Sequence, residues 1–391
     1  MKRYLVPLFV LAAMPAALAQ APGQAPTTSP TVLPVPIQKV PEIPFDSVPN
    51  FLKLPPNLYL GEAAGVAVNS KGHVFVYSRG DNDGPAYAAR ASQLLEFSAD
   101  GQFIREIGHN LYAWAFAHTV RIDKDDNIWA TDKGTDMIVE FNPDGQVIKV
   151  FGRKKEASDA GAVAWERPNP PLPPIDQQFR QPTDVTWDPA GNIFISDGYI
   201  NARVAMFDKD GYWVGSFGTP GAAPGQLNTP HSIASDKDGN IYVADRGNRR
   251  VQVWDKTGKL LRQITMDVYF DYDKSHAPLG AKAPMTPNGV NYGSGLTQAP
   301  GAPWAICITP PNASGQQFLY AADAYPGRVY KVSLDGTVLG TFGEAGKGLK
   351  QFGWIHEIAC PDENTIFVAE VLNWRVQKLL LHPTQQRAAL P

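Results

Sequence analysis

Apolar and polar residues alternate along most of this chain in short bursts, and the bursts recur. In PHSIASDKDGNIYVAD, residues 230–245, an alternating strand enters a Lys-Asp-Gly turn and returns through a second strand rich in Ile, Tyr and Val. That is the pattern of a β-hairpin. The hairpin recurs as AGVAVNSKGHVFVYSR (64–79), HTVRIDKDDNIWATD (118–132) and TDVTWDPAGNIFISD (183–197). WAICITPPNASGQQFLYAAD (304–323) repeats it with a longer turn, and HEIACPDENTIFVAE (356–370) is the last copy. From first position to closing acidic residue the step is 14 at 118–132, 183–197, 231–245 and 356–370, and the first copy keeps the step but ends on Ser78. Several copies continue into a third strand (MIVEFN, RVAMFD, RVQVWD, RVYKVS) and a fourth (QVIKVFG, YWVGSFG, KLLRQI, TVLGTFG). Four strands in each of six copies predict an all-β chain folded as a six-bladed β-propeller.

The repeats resemble the NHL pattern in particular. The sixth copy has RVQKLLL as its third strand but little chain after it, so a strand from before residue 61 is expected to complete the blade and close the ring. Two long insertions, 153–180 and 265–303, break the regularity, and loops of that length usually cover a site.

The first strand of each blade lines the central channel, so the first position of every repeat faces one rim. Around the ring that position reads Ala64, His118, Thr183, His231, Trp304 and His356. The histidines fall on alternate blades, about 120° apart in a six-fold ring. Three imidazoles therefore converge on one axial point, the ligand set of a catalytic zinc with an open fourth position. The alternative is three unrelated strand-initial histidines. His73, His109, His276 and His382 fall off this register, on turns, loops or the tail.

The second strand runs back antiparallel, so residues about 15 positions after each repeat start return to the same rim. Arg79, Tyr199 and Arg246 lie there. Two guanidinium groups beside a divalent cation suit a carboxylate substrate, and a phenol among cations has its pKa lowered, which makes Tyr199 a candidate general base. Arg246 opens RGNRR, where an arginine can equally brace the neighbouring blade.

With 391 residues, 43% of them hydrophobic, and a formal net charge of −3, the chain can bury a large core and lacks the basic excess suited to nucleic acid. The start MKRYLVPLFVLAAMPAALAQ has the layout of a secretory signal cleaved after Ala19. The expected organisation is a signal peptide (1–19), a Pro-rich leader (20–50) and a catalytic propeller (51–391), in a periplasmic or secreted monomer without a membrane span. Cys307 and Cys360 are the only cysteines. In an exported chain they pair or remain two buried thiols, and the sequence does not decide.

LYAWAFAHTVRID, QPTDVTW with SDGYINARV, LNTPHSIASD with VADRGNRRVQVW, VYSRGD and GWIHEIA together resemble the peptidyl-α-hydroxyglycine α-amidating lyase family, a six-bladed NHL-type propeller, over about residues 60–380. The resemblance implies zinc on His118, His231 and His356, a catalytic Tyr199, and substrate-binding Arg79 and Arg246. It also implies a structural calcium at Val66, Val120 and Glu357. The implied reaction cleaves the C–N bond of a small or peptidyl N-acyl-α-hydroxyglycine to an amide and glyoxylate. Where the family's animal members have Met and Asp around the third histidine, this chain has Trp354 and Glu357. Trp354 makes the pocket wall larger and more aromatic, so a smaller α-hydroxy amide or ureido acid is as good a candidate substrate as a peptide. Two rival readings are a non-catalytic NHL scaffold and a calcium-dependent six-bladed lactonase or esterase. The latter needs carboxylate and amide oxygens on the axis rather than imidazoles.

Overall fold

The computed structural model describes residues 38–80, 92–155, 173–271, 285–286, 289–290 and 300–382. The signal peptide, most of the leader, His276 and much of both insertions lie outside them.

Six antiparallel four-stranded sheets form the blades. Their inner strands, in chain order, are Ala63–Val68, Ala117–Ile122, Asp184–Trp187, Pro230–Ser235, Ala305–Ile308 and Ile355–Ala359. The sixth sheet is completed by Phe45–Ser47, which pairs with Arg375–Leu381 in the register Phe45↔Leu381 and Ser47↔Leu379. The closing strand thus precedes residue 61, as expected, and it lies within the stretch read as leader, so the blades begin before residue 51. Every blade packs both faces, which is why the second strands are buried on both, while outer strands such as Phe103–Ile107 and Val147–Gly152 stay partly exposed. The core divides accordingly, with one cluster at each blade junction: Tyr77 and Trp114 between blades one and two, for example, and Tyr320 and Phe352 between five and six. Among the described residues no helix is long and apolar enough to cross a membrane.

The acidic residue that ends the 14-residue step is a buried bracket. Asp132 accepts the amides of Ala115, Phe116 and Thr135 and the Tyr77 hydroxyl. Asp197, Asp245 and Glu370 each pair with the arginine that opens the next strand, Arg203, Arg250 and Arg375. These carboxylates tie the loop entering the first strand to the turn leaving the second, and so fix the rim on which the candidate site residues stand. Cys307 and Cys360 form a disulfide between neighbouring inner strands at the opposite end of the channel.

Candidate metal centre and its rim

The ladder between first and second strands slips at Ala117/Thr119 and Ile355/Glu357, and more widely at Pro230/Ile233. The residues left out of register include His118, His356 and His231. A β-bulge re-aims the side chain it carries, and here the three imidazoles turn into the channel, buried, with ring centroids 4.7, 4.7 and 4.8 Å apart. One nitrogen from each lies within 4.8 Å of the others.

Their tautomers are fixed from behind. The Nδ1–H of His118 donates to the Thr183 carbonyl at 2.7 Å, that of His231 to Trp304 at 2.6 Å and that of His356 to Ala64 at 2.8 Å. A carbonyl can only accept, so Nδ1 carries the hydrogen and Nε2 keeps its lone pair for the axis. The first position thus alternates around the ring: three blades supply an imidazole and the other three the backbone carbonyl that orients it. Burial first, then neighbouring cations, joined at His118 and His231 by the other imidazoles, holds all three well below the ordinary histidine pKa, so they are neutral donors. His231 Nε2 is buried with no hydrogen-bond partner among the described residues, an orphan that a cation would satisfy. The three histidines can hold a metal ion.

The rim is cationic and aromatic. Tyr199 has its hydroxyl 3.3 Å from His118 Nε2. Gly198 allows this approach, because a Cβ there would lie 1.9 Å from the Pro230 carbonyl oxygen. Arg246 stacks on the Trp304 ring at 3.7 Å and lies 5.5 Å from the Tyr199 ring, so it both braces the next blade and faces the site. Arg79 packs on Phe116 at 3.9 Å and pairs with Glu62. Trp354 meets Trp304 edge-on at 4.7 Å, and Trp304 in turn meets His231 at 4.8 Å, so the two tryptophans stand beside the histidines.

Lys133 was not among the residues expected here, although it stands 15 positions after His118, as Arg79 does after Ala64 and Arg246 after His231. Its ammonium lies 4.0 Å from the Tyr199 ring centroid and 4.6 Å from that of Phe116. Burial alone would raise the Tyr199 phenol. Lys133, Arg246 and Arg79 outweigh it and bring the pKa below its ordinary value.

Val66, Val120 and Glu357 also come together. What the two valines turn to the Glu357 carboxylate is N–H, at 2.9 and 3.0 Å. Gly65 makes room, since a Cβ there would meet Glu357 Oε2 at 2.7 Å. The three off-register histidines among the described residues are peripheral: His73 pairs with Glu96, His109 with Glu106 and His382 with Asp46.

The NHL repeat family profile matches residues 227–254. A Xenopus laevis peptidyl-glycine alpha-amidating monooxygenase B is 26% identical over 339 residues, 80% of this chain and 33% of that protein. A Caenorhabditis elegans probable peptidyl-alpha-hydroxyglycine alpha-amidating lyase is 28% identical over 215 residues, half of this chain and 56% of that one. The chain carries an NHL repeat and is similar to proteins named as amidating lyases. It spans about a third of the length of the curated Xenopus relative it matches. Among solved structures, that titled streptogramin B lyase superposes with a TM-score of 0.50 at 13% identity, covering 87% of this chain and 98% of that one, which supports the propeller fold.

Proposed function

We propose that this propeller is a zinc-dependent carbon–nitrogen lyase that cleaves an N-acyl-α-hydroxyglycine, or a similar α-hydroxy amide or ureido acid, to an amide and glyoxylate. The observation that carries the reading is the triad of neutral imidazoles, each pinned through Nδ1, with a phenol and three cations grouped beside it. Held by the three Nε2 atoms, a zinc ion would supply Lewis acidity at the substrate's hydroxyl and carboxylate oxygens.

The chain's own residues account for the rest. Arg246 and Arg79 bind the substrate carboxylate, a task that suits the planar guanidinium. Tyr199, its pKa lowered, takes the α-hydroxyl proton. The O–H electrons become the aldehyde C=O as the C–N bond breaks, and the same proton passes from Tyr199 to the departing amide nitrogen. No covalent intermediate is needed. The two tryptophans and Phe116 line the site with aromatic surface for the acyl portion.

The test is direct: purified, zinc-loaded protein given α-hydroxyhippurate should release glyoxylate and benzamide in equal amounts. Absence of glyoxylate release from this and from smaller α-hydroxy amides and ureido acids would contradict the reading. The disulfide supports a further part of the proposal, that the chain works in the periplasm or outside the cell, where thiols oxidise.

Lys133 gives a pH signature. It favours the phenolate of Tyr199, and a general base works in its deprotonated form, so activity rises as pH climbs through that pKa. Removing the cation raises the pKa. In Lys133→Met the rising limb of kcat/KM should therefore move to higher pH by about one unit. A limb that stays in place would take Lys133 out of the tuning of Tyr199.

A further inference from the structure

Below the histidines the channel holds a cation of the chain's own. Arg121 comes from the inner strand of blade two and reaches across the axis to four other blades. Its Nε and Nη2 donate to Asp184 Oδ1 and Oδ2 at 2.9 and 2.6 Å. Nη2 also meets Ser232 Oγ at 3.1 Å and the Ile306 carbonyl at 3.2 Å, while Nη1 meets the Ile358 carbonyl at 3.3 Å. Nε lies 3.1 Å from Glu357 Oε1 as an ion pair, while Oε2 of the same carboxylate accepts the Val66 and Val120 amides. Burial works against the guanidinium charge, but Asp184 and Glu357 outweigh it and keep it charged.

We propose that Arg121 is the structural cation of this channel, standing between the Glu357 and Asp184 carboxylates in place of the calcium ion that the family resemblance implies, so that among the described residues the channel carries one divalent-metal site rather than two. A calcium ion needs six to eight oxygens at about 2.3–2.6 Å. It cannot take Glu357 Oε1 as a ligand without displacing a guanidinium 3.1 Å from that atom, and an arginine cannot shed its charge to make way. The carbonyls of Ile306 and Ile358 and the Ser232 hydroxyl, oxygens that could serve a hard cation, point at Arg121 instead. The inference is independent of the reaction proposed above, because it concerns the far side of the histidine plane. There a cavity of about 490 Å³, lined by Val68, Thr186, Ile233, Cys307 and Cys360 among others, opens onto Arg121.

Metal content and melting temperature test it without any assay of turnover. Wild-type protein equilibrated with millimolar calcium and then desalted should retain less than about 0.1 calcium per chain, and its Tm should not respond to millimolar calcium. Arg121→Ser leaves two buried carboxylates uncompensated and should melt about 10 °C lower. Millimolar calcium should restore about half of that loss, because the vacated oxygens then form a site. Arg121→Lys keeps a cation and should stay insensitive to calcium. One calcium per wild-type chain surviving desalting, or a wild-type Tm several degrees higher in calcium, would overturn the proposal even if Arg121→Ser fails to fold. So would an Arg121→Ser protein that melts like wild type and ignores calcium.

Discussion

His231→Ala should empty the metal site and lower glyoxylate release by on the order of 10³-fold, while the propeller survives. The triad needs all three nitrogens, and this one has no hydrogen-bond partner among the described residues beyond the Nδ1–H donated to Trp304. Its loss opens space in a polar channel and leaves the six apolar clusters between the blades untouched. The expected Tm of the metal-free variant therefore falls within a few degrees of the metal-free wild type. Metal analysis and a melting curve on the same preparation check both halves. A His231→Ala protein that keeps full metal occupancy and unchanged turnover would show that the imidazoles do not form one site.

Tyr199→Phe should separate chemistry from binding. The ring stays, with its edge-on contact to His118 at 5.6 Å and its face to the Lys133 ammonium, and only the hydroxyl goes. Metal content should equal wild type, KM should change little and kcat should fall by about 10²–10⁴-fold, the range general acid–base catalysis supplies. A wild-type kcat would remove Tyr199 from the mechanism. A variant that also loses its metal would mean that the phenol holds the centre together rather than moving a proton.

The six-bladed ring and the convergence of His118, His231 and His356 are legible in the sequence. A 14-residue step between two period-two strands leaves no freedom about which residues share a rim, and alternate blades of a six-fold ring make a three-fold set. Arg79, Tyr199 and Arg246 follow from the same register, and all three reach the site. Lys133 obeys that register too, and reading every blade at the fifteenth position would have found it.

What the sequence leaves out are features set by slips in register or by distant backbone. The bulges that turn the histidines inward depend on one extra residue per hairpin, which an alternation of apolar positions does not reveal. The carbonyls of Ala64, Thr183 and Trp304 that fix the tautomers have no side-chain signature at all. Arg121 reads as the polar position of an amphipathic strand, and only the closed ring brings Asp184 and Glu357, 63 and 236 positions away in the chain, to the same point on the axis. The closing strand is short and lies among prolines, which is why Phe45–Ser47 passes for leader until its pairing with Arg375–Leu381 is seen.

The central claim is that three alternate inner strands hold one cation between them. Crystals of zinc-loaded protein, measured just above and just below the zinc absorption edge, test it most directly. The account predicts a single strong anomalous peak bounded by the Nε2 atoms of His118, His231 and His356, absent from His231→Ala crystals. No peak among those atoms in fully loaded protein, or a peak that survives the substitution, would contradict it.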